Sequence, residues 1–385
     1  MAPGGARRVG GLLALAAGIA GIAGTWACGG STGPGDSARG PVPTRSFRMG
    51  FTPFPYAATP QAANDLYQKV RDNGDMIAHH LDGGIPWPEA LAGTAYDPAV
   101  EAELTDRLAR TDPSEPVYLA ITPLNGTRDG LADYWGSSQG LPRPGPWAAR
   151  NLASPEVIDA FVNYSLDLID RFQPRWFNYG IEVSELAFNN SGEFDRLLTF
   201  ASQVYPRIKA AHPELPTFVS LAMKAPDIAR AFKLQLAWGA LEPFSDYVGA
   251  SVYPYIFFSQ TNGDPATLAA DWLTQLRVLA RGKPIVVAET AWIAEPLLIP
   301  EFGVNVAAVP QNQSDYVDRL LSEADALGAE FVVWFFAVDF DRLWEGLLGR
   351  DPVARIWRDT GLWDESLTAR PALSAWRDWL IRRPK

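Results

Sequence analysis

Eight short apolar runs constrain this chain more than any other feature of its 385 residues. They cover residues 48–52, 76–81, 117–122, 176–181, 217–223, 247–255, 285–289 and 331–336. Each has the length of a strand, and a strand with little polar alternation must be covered on both faces. Ile285, Val286, Val287 and Ala288 are the clearest case, and their run ends on a carboxylate, Glu289.

Helix-like stretches separate the runs. Thr59 before Pro60 offers an N-cap and a first-turn proline, with Ala62, Leu66 and Val70 following on one face. Ser154-Pro155-Glu156 opens a second pattern through Ile158, Phe161, Leu166 and Ile169, and residues 194–211, 265–281 and 311–327 give three more. Alternation of this kind predicts an α/β fold with a parallel sheet and helices outside, and eight strands fit a single closed (β/α)8 TIM barrel. No glycine-rich phosphate loop follows the first strand, which argues against an open dinucleotide-binding sheet. There is no internal repeat and no second domain. The stretch 124–151 is long and rich in Gly, Pro and Trp, and a loop of that length is expected to wall the mouth of a site.

The N-terminus reads as an address. Arg7 and Arg8 precede an apolar run over 12–22, too short to span a bilayer, and then Gly24-Thr25-Trp26-Ala27-Cys28. Residues 1–27 are expected to be a signal peptide. Cys28 is the only cysteine, so no internal disulfide is available, and its place after Ala27 resembles a bacterial lipobox. That likeness implies a lipid on Cys28, a membrane partner through it, and, with Gly29 rather than Asp next, an outer-membrane or cell-surface location. Residues 28–45 read as a flexible Gly/Ser/Pro tether and 46–385 as the barrel.

A net charge of −11 and a pI near 4.9 exclude the basic patch that a nucleic-acid partner needs. Fourteen tryptophans and twelve tyrosines supply flat faces suited to sugar rings, although a large core would also use them. A second strand-end carboxylate, Glu182, follows Trp176-Phe177-Asn178-Tyr179-Gly180-Ile181. Barrel enzymes carry their chemistry at the carboxyl ends of strands. Two glutamates there are the minimum for cleaving a glycosidic bond, one as acid and base, the other as nucleophile. Taken singly, each is as well explained as a cap or an ion-pair partner. Glu185 competes for the acid role and reads rather as the opening of the next helix; Glu295 reads as surface.

Gly180-Ile181-Glu182, Ser251-Val252-Tyr253-Pro254-Tyr255, Val287-Ala288-Glu289-Thr290-Ala291-Trp292 and Val333-Trp334-Phe335 together resemble clan A glycoside hydrolases. Among these the arabinogalactan endo-β-1,4-galactanases are the most similar. Gly361-Leu362-Trp363 and Ala369-Arg370-Pro371-Ala372-Leu373 are also like the ends of such barrels. The resemblance implies Glu182 as acid/base, Glu289 as nucleophile and retention of configuration, with no cofactor and no metal. It implies Tyr253 as a hydrogen-bond partner of the nucleophile and Trp334 as an aromatic floor. Trp292, Trp87, His80, Asp82 and Asn178 are the further substrate contacts expected of a carbohydrate-binding monomer.

Two departures stand out. Ile181 occupies the position where the clan has an asparagine that holds the substrate 2-hydroxyl, and the second strand ends in His79, His80 and Asp82 where an arginine is expected. The first leaves open a barrel that binds glycans without cutting them, or Asn178 acting as substitute. The second permits a divalent-metal site, but neighbouring strand residues face opposite ways, so only one histidine can enter the barrel.

Overall fold

The computed structural model describes residues 43–258 and 262–385. The signal segment, Cys28 and the tether up to residue 42 lie outside the described residues. Eight parallel strands close into a barrel: β1 (Arg48–Thr52), β2 (Met76–Leu81), β3 (Val117–Ile121), β4 (Trp176–Gly180), β5 (Thr217–Ala222), β6 (Val248–Val252), β7 (Ile285–Thr290) and β8 (Phe331–Phe336). β8 pairs with both β7 and β1, with Phe51 beside Trp334, which completes the ring.

The principal helices outside are α1 (Pro60–Asn73), α2 (Pro98–Arg110), α3 (Pro155–Phe172), α4 (Ser191–Ala211), α5 (Ile228–Leu241), α6 (Gln275–Ala280), α7 (Pro310–Leu327) and α8 (Pro371–Leu380). The Thr59 side chain accepts from the Ala62 amide and caps α1, a contact typically worth about 1 kcal/mol. α1 then buries Ala62, Leu66, Tyr67 and Val70 along one stripe. α7 stops at Gly328, whose φ of 71° is the left-handed turn that glycine adopts freely.

Parity along each strand decides what enters the barrel. Met76, Ala78, Tyr118, Ala120, Trp176, Phe218, Val286, Ala288, Phe331 and Val333 form one buried cluster inside it, while Ile77, Leu119, Phe177, Val287 and Val332 belong to the larger core under the helices. Tyr118 and Phe218 stack inside, and at Gly249 an added Cβ would lie 3.0 Å from the Phe218 ring. The barrel base is filled, so its carboxyl-end mouth is where a ligand fits.

Three expectations change. Thr44–Arg45 pairs in parallel with Arg383–Pro384, and Arg45 is buried against Asp75 at 2.7 Å, so these residues belong to the folded domain rather than to the tether. The helix expected over 265–281 is broken into a turn, Pro265–Thr267, and the short α6. Its reason is visible: the Arg319 guanidinium of α7 takes the carbonyls of Pro265, Leu268 and Ala269, acceptors a continuous helix would need for its own amides. Finally, the loop over 124–151 packs Trp135 and Trp147 inward and sends only residues 126–128 to the mouth.

Candidate active site

Two irregularities in the barrel aim the carboxylates. Between β6 and β7, Ala250 pairs with Val287 but Ser251 pairs with Glu289, so β7 carries one extra residue. A bulge of this kind reverses the inside–outside parity. Strict alternation from Val286 and Ala288 would send Glu289 outward; after the bulge it lines the mouth, and Thr290 turns out to bond Tyr316 of α7 at 2.7 Å. At the end of β4 the register slips after Asn178, and Glu182 takes φ 52°, a left-handed conformation rare for a residue with a Cβ.

The cavity at the mouth has a volume of ≈ 320 Å³. Its polar lining includes His80, Asp82, Arg128, Glu182 and Glu289. Phe257, Phe335, Phe336, Ile356 and Trp357 add apolar lining, with the Phe335 ring packed edge-on against His80. His80 Nε2 lies 2.9 Å from Glu289 Oε1 and, facing a carboxylate, donates to it. The Tyr253 hydroxyl donates to Oε2 at 3.0 Å. The Ser251 hydroxyl donates to Glu182 Oε1 at 2.6 Å, and Arg128 Nε approaches Oε2 at 3.4 Å. Ser251, which holds Glu182, is the β6 partner of Glu289 on β7, so both carboxyls open into the same cavity.

Their environments pull in opposite directions. Burial, then the Glu289 charge, pushes the Glu182 carboxyl above the ordinary range, against the opposing pull of Arg128 and Ser251. Burial alone would raise Glu289 too, but His80, Arg128 and Tyr253 outweigh it and hold that carboxyl below the usual range. One proton added to the pair therefore resides on Glu182. A half-buried acid beside a buried carboxylate is the equipment for protonating a leaving group while attacking from the other side.

Of the residues singled out from sequence, Glu182, Glu289, Tyr253, His80 and Asp82 meet at this cavity. The other four do not line it. Trp334 follows inward-facing Val333 and so points outward, donating to the Thr360 carbonyl and packing on Trp376. Trp292 stacks on Tyr316 and bonds the Gly263 carbonyl. Asn178 is inside the barrel but below the mouth, bonded to Tyr118 Oη at 3.0 Å and to the Gly180 amide. Trp87 is buried against Trp147. His79 faces outward to Thr111, which leaves His80 as the inward histidine.

Sequence reasoning missed Arg128. It comes from the loop after β3, is 8 % exposed, and grips Asp82 with two nitrogens at 2.9 and 2.6 Å. It supplies the guanidinium that the end of β2 lacks. Phe335 and Trp357 were also missed; Phe335 sits one residue past Trp334, and parity counted from Phe331 would have found it. Asp82 has both oxygens taken by Arg128 and His80 Nε2 is taken by Glu289, while His80 Nδ1 is buried without a hydrogen-bond partner. Among the described residues the carboxylates close enough to share an ion, Asp339 with Asp341 and Asp359 or with Glu295 and Glu365, lie away from the cavity and are crossed by Arg358 and Arg370.

No protein-family model matches the sequence, and no curated protein matches it. Solved structures do share the fold. A GH5_18 enzyme from Streptomyces cattleya in complex with GlcNAc superposes with TM-score 0.60 at 16% identity, covering 89% of this chain and 83% of its own. Native xylanase 10B from Thermotoga maritima gives 0.54 at 13% over 87% and 95%. The GH53 catalytic domain from Ignisphaera aggregans gives 0.51 at 16% over 83% and 88%. At these identities the likeness is one of fold, an eight-stranded parallel barrel of the kind these glycoside hydrolases use.

Proposed function

We propose that this protein is a retaining glycoside hydrolase that cleaves a polysaccharide or oligosaccharide by double displacement. The observation that carries the reading is the pairing of Glu182 with Glu289 in one cavity, with the proton favoured on the first and the charge on the second. In the first half-reaction a Glu289 oxygen attacks the anomeric carbon, the glycosidic C–O bond breaks, and the Glu182 proton goes to the departing oxygen. Attack removes the negative charge of Glu289, which lowers the proton affinity of Glu182. In the second half-reaction Glu182 takes a proton from water, the water oxygen bonds the anomeric carbon, and Glu289 is released. His80 and Tyr253 hold both Glu289 oxygens through this cycle, and Phe335 and Trp357 offer the apolar faces on which a sugar ring packs.

β-1,4-Galactan is the first polymer to test, on the likeness of the 251–255 and 289–291 stretches. Ile181 favours a second reading, a barrel that binds glycans without turnover, because the position directly before Glu182 carries no amide for the substrate 2-hydroxyl. Screening the protein against β-1,4-galactan, xylan, mannan and 4-nitrophenyl glycosides separates the two. The hydrolase reading expects sugar release that Glu289→Gln reduces by at least about 10⁴-fold with the fold intact. Release unchanged in Glu289→Gln, or binding without release, defeats it.

We also propose that the chain is exported and held at the cell envelope by a lipid on Cys28. Replacing Cys28 with Ala would release it from membranes, and unchanged membrane retention would argue against the anchor. We further propose that the protein acts as a monomer, with all the residues the mechanism uses supplied by the same chain.

A further inference from the structure

Arg128 and Glu182 are both in the left-handed region, with φ of 53° and 52°, and they face each other. Their two segments are tied together. Asn189, just after the Glu182 turn, donates to the carbonyls of Thr127 and Arg128, and Asn190 donates to that of Asp129. Asn125 closes the loop from inside by accepting from the Asp129 and Gly130 amides. The guanidinium is held by Asp82 through Nη1 and Nη2 and by the Asn125 carbonyl at 3.1 Å, which leaves Nε–H aimed at Glu182 Oε2. That last contact is 3.4 Å, longer than the roughly 2.7–2.9 Å of a full charge-assisted bond. Ser251 already occupies Oε1 at 2.6 Å. Oε2 is therefore the oxygen with room for a proton.

We propose that Arg128 is a positioning residue for Glu182: pinned by Asp82, it is a fixed donor that Oε2 draws up to each time Glu182 gives up its proton. The inference rests on the hydrolase reading for its place in the cycle. While Oε2–H is present, Arg128 stands off. When that proton passes to the departing glycosidic oxygen, the new carboxylate is met by Nε–H and kept aligned. It then receives a proton from the attacking water, and the contact lengthens again. Arg128 thus matters most for the second half-reaction, when Glu182 works as a base.

The charged and titratable groups around Glu182 come from every side: Glu289 on β7, Arg128 with Asp82 behind it, His80 on β2, Tyr253 after β6, Glu185 on its own turn, and Lys224 after β5, paired with Glu185 at 2.6 Å. Among them Arg128 and Lys224 are the guanidinium and ammonium, and Lys224 already faces Glu185.

The test uses the full chain with Arg128→Met and Arg128→Lys. Glutamate carboxyl carbons labelled with ¹³C are titrated by NMR, with Glu182→Gln identifying the Glu182 signal. In Arg128→Met the Glu182 titration is expected to move to higher pH by about one unit, with Arg128→Lys between Met and wild type. On 4-nitrophenyl glycosides, whose leaving group needs little protonation, Arg128→Met is expected to slow turnover at least tenfold after an undiminished first burst, and azide is expected to restore it. An unmoved Glu182 titration overturns the proposal, as does a loss that falls on the burst instead. If no glycoside is cleaved by wild type, the hydrolase reading fails, while the titration still decides whether Arg128 governs Glu182.

Discussion

Replacing Tyr253 with Phe probes the Glu289 environment without any knowledge of the substrate. The Tyr253 ring is buried, and its hydroxyl makes one bond, 3.0 Å to Glu289 Oε2. A hydrogen bond to a charged acceptor typically contributes about 1.5–3 kcal/mol. Unfolding entropy of about 2.1 cal/mol/K per residue over some 340 residues gives about 0.7 kcal/mol/K, so the melting temperature should fall by about 2–4 °C near neutral pH. The effect should depend on pH. The Glu289 carboxyl is held below its unfolded range, so stabilisation from its donors is full above the unfolded value and is lost as pH falls through the folded one. Below that point the acceptor is neutral and the penalty shrinks to about 0.5–1.5 kcal/mol. Tyr255→Phe is the control. Tyr255 is equally buried and donates at 3.0 Å to a neutral carbonyl, that of Ile356, so its penalty should be small and flat with pH. Melting curves of both variants against wild type, from neutral pH down past the ordinary carboxylate range and through the lower folded range of Glu289, make the comparison. Equal, pH-independent losses at the two tyrosines would refute the reading of Glu289 as a buried anion.

Hydrolysis should follow a bell in pH, falling on the acid side as Glu289 takes a proton and on the alkaline side as Glu182 loses one. His80→Ala removes a donor that holds Glu289 ionised, so the acid limb of kcat/KM should move to higher pH; an unmoved limb would show that His80 does not support the anion. Asp82→Ala leaves the buried Arg128 guanidinium short of its bidentate partner, a loss typically near 3–5 kcal/mol, or about 4–7 °C in melting temperature. Asp82→Ala combined with Arg128→Met should cost less than the sum of the two, and strict additivity would show that they act independently.

The barrel was legible because its strands are buried on both faces, which leaves uninterrupted apolar runs such as 285–288. That Glu182 and Glu289 stand at strand ends was legible because each ends such a run. What the runs hide is parity. Trp292 and Glu289 share one strand-end block, and one extra residue in β7 turns Glu289 into the mouth; Trp334 and Asn178 lie on other strands, where ordinary alternation sends Trp334 outward and Asn178 sits below the mouth. A bulge leaves no mark in a run that is apolar throughout. Arg128 was hidden for a different reason. It reaches the site from a loop held by Asn125, Asn189 and Asn190, and such contacts between segments some 60 residues apart have no local signature. The broken helix over 265–281 is a tertiary override of the same kind, imposed by Arg319.

The stereochemistry of the first product tests the Glu182–Glu289 pairing most directly. With a substrate that the protein cleaves, ¹H NMR of the anomeric region in the first minutes records the released sugar before mutarotation. A double displacement through Glu289 should give the anomer that the substrate carried, because each of two displacements inverts once. Release of the opposite anomer would mean that water attacks directly, and Glu289 would not be the nucleophile.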